Sequence, residues 1–112
     1  MKEVVKPWGK ELWLELNDSY CCKKIHVNAG ARTSYQYHKI KLETICVISG
    51  EADVWIESFD GSVDVVRMGK DGFFTVPPRI KHRMVAITDL VFFEVSTPEV
   101  DDVVRVDDDF NR

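Results

Sequence analysis

Residues 43–68 read ETICVISGEADVWIESFDGSVDVVRM, and the rhythm of that stretch decides the fold. Glu43 to Ile48 is rich in β-branched residues and stops at Ser49-Gly50, after which Val54 and Ile56 alternate with Asp53, Trp55 and Glu57. Alternation at period two marks a half-buried strand, because successive strand side chains point to opposite faces. Asp60-Gly61 is a tight hairpin signal that leads into a further strand, Val63 to Met68.

The same rhythm continues outward in both directions. Leu12, Leu14 and Leu16 alternate with Glu11, Trp13 and Glu15; Ile25 and Val27 follow Cys21 and Lys23 on one parity; Asn28-Ala29-Gly30 then breaks the run. Downstream strands are expected at Phe73 to Val76, His82 to Thr88 and Leu90 to Val95, with Gly69, Gly72, Pro77-Pro78 and Asp89 as punctuation. No convincing helical stripe is present. About eight or nine short strands with regular turns predict an all-β domain, a closed antiparallel sandwich or barrel of the jelly-roll kind.

The chain has 112 residues, 45% of them hydrophobic and 30% charged, which fits one globular domain over residues 1–112 and leaves no room for a second. No apolar run approaches the ~20 residues of a membrane span, and MKEVVKPWGK lacks the apolar stretch of a secretory signal, so a cytoplasmic protein without membrane partners is expected. The net charge of −4 lies wholly in the tail: six acids face Arg105 and Arg112 after Pro98, while residues 1–98 are neutral. A neutral body offers no broad positive field for nucleic acid. Val100, Val103, Val104, Val106 and Phe110, spaced through residues 98–112, predict that part of this acidic tail packs back onto the body or a partner. Three cysteines, two of them adjacent at Cys21 and Cys22, make no disulfide framework and read as reduced thiols.

Four residues stand out because a β-barrel could converge them: Gln36, His38, Glu43 and His82. Gln36 and His38 project from one face of an extended segment, as metal ligands from one strand must. Glu43 has the wrong parity for an unbroken strand, so residues 39–42 must turn to bring it back beside His38.

These spacings resemble the two motifs of the cupin superfamily. Gly30, Gln36-Tyr37-His38, Glu43 and Gly50 reproduce the first, with Gln in place of the first His; Gly72, Pro77 and His82 match the second, with Arg79 in place of a Gly and Ala86 in place of an Asn. The stretch GARTSYQYHKIKLETICVISGEADV is similar to the motif of type II phosphomannose isomerases, as are Pro7-Trp8-Gly9, Lys23-Lys24-Ile25-His26-Val27 and Asp102-Val103-Val104-Arg105. The chain departs from that family at Lys39, Ile40 and Lys41, where two His and an Arg are usual, and at Thr44-Ile45, where His-Trp is usual; these are expected to reshape the pocket rim. The guanylyltransferase activity of the family's bifunctional members is not expected from 112 residues.

The resemblance implies one divalent metal on Gln36, His38, Glu43 and His82, with zinc expected and manganese, iron or cobalt compatible with an amide oxygen. It implies an aldose–ketose isomerase acting on a sugar phosphate, in which the metal stabilises an enediolate. A non-catalytic cupin that binds a sugar or sugar nucleotide is the alternative, and oxygen chemistry on iron a third. Arg32 and Ser34 share the parity of Gln36 and His38, so on a regular strand they line the same cavity as substrate-binding residues, Arg32 as a phosphate clamp unless it forms a surface salt bridge. Lys23 shares the parity of inward Ile25 and Val27 and is a candidate acid or base, or else a strand-end lysine. Glu94, in the apolar run Val91 to Val95, is a candidate proton shuttle or the partner of a buried cation. Arg83 opposes the parity of His82 and takes a supporting role, and His26 reads as surface. Trp55, Trp13 and Tyr35 could stack on a sugar, although Trp55 could simply cover the outer face of a sheet. A homodimer is the default expectation.

Overall fold

The computed structural model describes residues 2–112, which form eleven strands and no helix. They are β1 (Lys2–Lys6), β2 (Gly9–Leu16), β3 (Cys21–Val27), β4 (Tyr35–Tyr37), β5 (Glu43–Ser49), β6 (Ala52–Glu57), β7 (Val63–Met68), β8 (Phe73–Val76), β9 (His82–Ala86), β10 (Leu90–Ser96) and β11 (Val104–Asp107). A six-stranded sheet runs β1-β2-β3-β10-β5-β8 and a five-stranded sheet runs β11-β4-β9-β6-β7, with antiparallel pairing throughout. The two sheets form a jelly-roll sandwich and do not close into a barrel.

The core follows from the alternation. Ile25 and Val27 on β3, Ile45 and Val47 on β5, and Leu90 and Phe92 on β10 meet Ala52 and Val54 on β6 and Met84 and Ala86 on β9. Trp8 joins them from the β1–β2 turn. The same inward rows turn polar at one end: Lys23 precedes Ile25, Glu43 precedes Ile45, Glu94 follows Phe92, and His82 precedes Met84. One end of the sandwich is thus oily and the other carries every ionisable group of these rows.

One feature differs from the simple reading of alternation. On β2 the inward residues are Glu11 and Trp13, because register sets them against Ile25 and Lys23, while Leu14 and Leu16 are exposed. At the other terminus the tail does pack back: β11 pairs with β4, and Arg32 holds Asp109 through two bonds of 2.7 and 2.8 Å. Beneath the tail, Arg83 is 1% exposed and donates to the carbonyl of Thr33. Its guanidinium lies 5.2 Å from the Trp55 ring, which meets Tyr35 edge-on at 6.3 Å. Trp55 and Tyr35 therefore cover the outer face of the five-stranded sheet. Cys21 lies in an inward row, while Cys22 and Cys46 are partly exposed, and all three are free thiols. No helix among the described residues is long and apolar enough to cross a membrane.

Gly30 and Gly50 both take positive φ, +80° and +85°, but only Gly50 lies against backbone, at the Asp89 carbonyl. Gly30→Ala is expected to cost about 1–2 kcal/mol for the left-handed conformation alone. Gly50→Ala should cost distinctly more, since neither backbone can yield. Urea unfolding midpoints of the two variants check this; equal losses would refute it.

Candidate metal centre

Each ligand candidate arrives at the polar end by a different route. Gln36 is on the three-residue strand β4, opposite His82 at the start of β9. His38 lies one residue beyond β4, where the chain crosses to the other sheet and re-enters at Glu43, the first residue of β5. That crossing is the turn required by the parity of Glu43.

His38, Glu43 and His82 are buried, and their ligand atoms lie within 4.8 Å of one another. Glu43 Oε1 is 2.9 Å from His82 Nε2 and 3.4 Å from His38 Nε2, and the imidazole centroids are 5.3 Å apart. Both rings are anchored by the far nitrogen: His38 Nδ1 meets the Asp102 carbonyl at 2.5 Å, and His82 Nδ1 meets the Ile80 carbonyl at 3.0 Å. A carbonyl only accepts, so each neutral ring carries its proton on Nδ1 and presents a bare Nε2 lone pair to Glu43. His38 Nε2 and both Glu43 oxygens are buried and make no aligned hydrogen bond. Two neutral-ring lone pairs turned toward one carboxylate are what a divalent cation satisfies, and backbone-anchored imidazoles are the usual outer support of such a site. The donor set fits a metal.

The surrounding charges are paired in a chain. Lys41 Nζ is 3.2 Å from Glu43 Oε2 and 3.1 Å from Glu94 Oε2. Lys23 Nζ is 3.5 Å from Glu11 and 4.3 Å from the Trp13 ring centroid, and Trp13 Nε1 donates to Glu11. Two buried ammonium groups thus face three carboxylates, which leaves room for further positive charge. Burial alone would raise the Glu43 carboxyl, but in the metal-free site protonated His38 and His82 rings, donating from Nε2, together with the charge of Lys41, hold it well below the usual range. Glu94 moves the other way, up to about 7, through burial and the charge of Glu43 against the pull of Lys41 and Lys23. For Lys41, burial is outweighed by Glu94 and Glu43, so its ammonium is held above its ordinary range.

These groups line a cavity of about 350 Å³, whose wall includes Gln36, His38, Lys41, His82, Lys23, Glu94, Glu11, Trp13 and Thr33. Lys6 and the tail residues Val100, Asp101, Val103, Arg105 and Arg112 complete it. Of the residues singled out in the sequence, Gln36, His38, His82, Lys23 and Glu94 line it, and Glu43 is buried against His38 and His82. Ser34 does not line the cavity; it is 1% exposed and donates to Gln36 Oε1 at 2.6 Å. Arg32 does not reach it either. Regular pleating begins only at Tyr35, Arg32 sits in an isolated bridge with Val85, and its guanidinium is taken by Asp109. Lys41, expected at the rim, is instead 4% exposed in the centre of the charge chain. Its parity with Glu43, Ile45 and Val47 was the available signal. Glu11 left no comparable mark in the sequence, and Asp102 was marked only as the head of the tail motif Asp102-Val103-Val104-Arg105.

A double-sheet jelly roll with a His/Glu/His cluster in its polar end defines a cupin. KdgF from a Halomonas species shares the fold, with a TM-score of 0.79 at 17% identity over 90% of this chain and 91% of that one. The capsular polysaccharide assembling protein CapF from Staphylococcus aureus does so at a TM-score of 0.78 and 16% identity, over 95% of this chain and 34% of that one. Within the cupins, the chain belongs to the family described as mannose-6-phosphate isomerase C-terminal, which matches residues 1–108. It is 32% identical to mannose-1-phosphate guanylyltransferase of Escherichia coli K12, across 99% of this chain and 23% of that protein. It is 27% identical to the xanthan biosynthesis protein XanB of Xanthomonas campestris, across 99% of this chain and 24% of that protein. The chain spans about a quarter of the length of these relatives. A cupin related to sugar-phosphate enzymes is thereby established.

The tail that closes the cavity is held by carboxylates of lowered pKa. The backbone N–H groups of Ile40, Lys41 and Lys39 take Asp102 to about 2, Arg32 lowers Asp109, and at Asp108 the Arg112 contact outweighs burial and gives about 2. At Asp102 and Asp109, which bond to the body, folded pKa values below the unfolded 3.8 mean that the docked tail binds fewer protons, so its docking is complete above pH 3.8 and is lost as pH falls below it, while the Asp108 contacts lie within the tail. Hydrogen exchange across that window should show protection of residues 102–109 falling before that of β5 and β10. Simultaneous loss would refute this order.

Proposed function

We propose that the protein is a metal-dependent aldose–ketose isomerase acting on a sugar phosphate, with mannose 6-phosphate the first substrate to test. The observation that carries this reading is the convergence of the His38 and His82 Nε2 atoms with Glu43 in a cavity that also presents Glu94 and Lys23. Gln36, His38, Glu43 and His82 would hold the ion; Gln36 Oε1 already accepts from Ser34 and has a second lone pair to offer. Zinc suits two imidazoles and a carboxylate, and manganese, iron or cobalt suit the amide oxygen as well. When bound, the metal polarises the carbonyl and neighbouring hydroxyl oxygens of an open-chain sugar, which lowers the cost of the negative charge that proton removal creates.

The rest of the chemistry falls to the chain. Isomerisation carries a proton between two adjacent carbons and another between their oxygens, with no net oxidation. Glu94 is the proposed carrier at carbon, held in place by Lys41 at 3.1 Å. Lys23 is the proposed donor at oxygen, fixed between Glu11 and Trp13. Lys6 and Arg105 line the cavity and have no acidic partner among the described residues, so the phosphate is assigned to them and the clamp expected of Arg32 moves there. Trp13, expected as a possible stacking platform, instead carries the Lys23 and Lys2 ammonium groups over its ring at 4.3 and 4.5 Å. A cytoplasmic location is our assignment, in keeping with a sugar-phosphate substrate, and a homodimer remains our assignment of assembly.

One observation favours the second reading, a non-catalytic cupin that binds a sugar or sugar nucleotide. Lys41 engages both Glu43 and Glu94, and so occupies the carboxylate that should carry the proton.

A coupled isomerase assay on mannose 6-phosphate and a panel of sugar phosphates separates the two. Turnover that stops on chelation and returns with zinc or manganese is the expected result; bound metal with silence across the panel selects the binding protein. His82→Ala should abolish metal binding and turnover while keeping the β circular-dichroism signature. Arg105→Ala should raise KM for the phosphorylated sugar about tenfold or more, as loss of a charge-assisted contact predicts, and leave the unphosphorylated form unaffected.

A further inference from the structure

We propose that Asp102, from the acidic tail, is a positioning residue of the metal centre: it fixes both the ring of His38 and the crossing segment that carries it. The inference rests on the metal-binding reading above and adds the tail to that site.

The two imidazoles are supported in different ways. His82 is anchored to the Ile80 carbonyl two residues earlier, so its orientation is settled within its own strand entrance. His38 lies past the end of β4, and its Nδ1 partner is the Asp102 carbonyl, 64 residues away in sequence. The Asp102 carboxylate meanwhile accepts from three successive backbone N–H groups, Lys39 at 3.0 Å on one oxygen, and Ile40 at 2.7 Å and Lys41 at 3.0 Å on the other. These N–H groups lie on the turn between the sheets, outside any strand, and a carboxylate is the acceptor that three converging donors select. One residue therefore sets the ring tautomer through its backbone and the turn through its side chain. Nothing comparable is done by Asp109, which ties the same tail to Arg32.

The test is cobalt(II) affinity of the full chain, measured by chelator competition, with the visible d–d spectrum recorded for each variant. Asp102→Ala keeps the carbonyl but removes the carboxylate that holds the turn carrying His38, and is expected to weaken cobalt binding about tenfold or more and to change the d–d envelope, as loss of support around a metal-bound His does. Asp102→Asn, which keeps one acceptor oxygen, should recover part of the affinity. Asp109→Ala should bind cobalt as the wild type does. Wild-type affinity and spectrum in Asp102→Ala would overturn the inference, and so would an equal loss in Asp109→Ala, which would show general tail loosening. Should the Asp102 variants fail to fold, long-range ¹H–¹⁵N spectra of the metal-free wild type decide: a proton on His38 Nδ1 supports the inference, and one on Nε2 overturns it. If the wild type itself binds no cobalt, the metal reading fails and takes this inference with it.

Discussion

A carboxylate 1% exposed at the end of an otherwise apolar row is the constraint around which this molecule is arranged. Glu43 cannot stay charged in that place without compensation. Lys41 supplies part of it and the cation that the two imidazole lone pairs are set to receive would supply the rest, and each of these groups brings its own demand. Lys41 needs Glu94, the imidazoles need carbonyl acceptors for their outer nitrogens, and the carbonyl for His38 comes only when the tail is docked. The polar end of the sandwich is thus one connected network, while the apolar end is ordinary jelly-roll packing.

The fold was legible because period two is a strong signal wherever one strand face is buried. β6, β7 and β8 fall where the alternation places them, and β5, β9 and β10 differ from it only at their ends. β1 and β11 escaped notice because Lys2–Lys6 and Val104–Asp107 are short edge strands with much exposed surface, so no buried face imprints a pattern on them. On β2 the leucines misrepresent the inward face: cross-strand register, which no local pattern encodes, turned Glu11 and Trp13 toward the cavity.

The candidate site was legible through the spacing of Gln36, His38, Glu43 and His82, and through the polar members Lys23 and Glu94 of apolar rows. Arg32 was misplaced because parity was extended backward through residues that are not pleated. Lys41 was read as a rim substitution, yet it stands where the family usually has an Arg, and its burial puts that positive charge at the centre of the network. Asp102 matters through its backbone carbonyl as well as its side chain, and a carbonyl carries no residue-specific signal.

The pairing of β4 with β11 has a consequence for how the chain reaches this state. Hairpins such as β1–β2 and β6–β7 close short loops, and the entropy of closing them is small. The contact between His38 and Asp102 closes a loop of 64 residues and has few apolar groups to offset that cost. Assembly of the polar end therefore belongs to the late steps of folding, after the sheets have registered. A nascent or partly unfolded chain would hold its hydrophobic sandwich before it held its chemistry. An ion that binds only the finished site would then act as a selective brake on unfolding of that end, slowing its opening without hastening the collapse that precedes it.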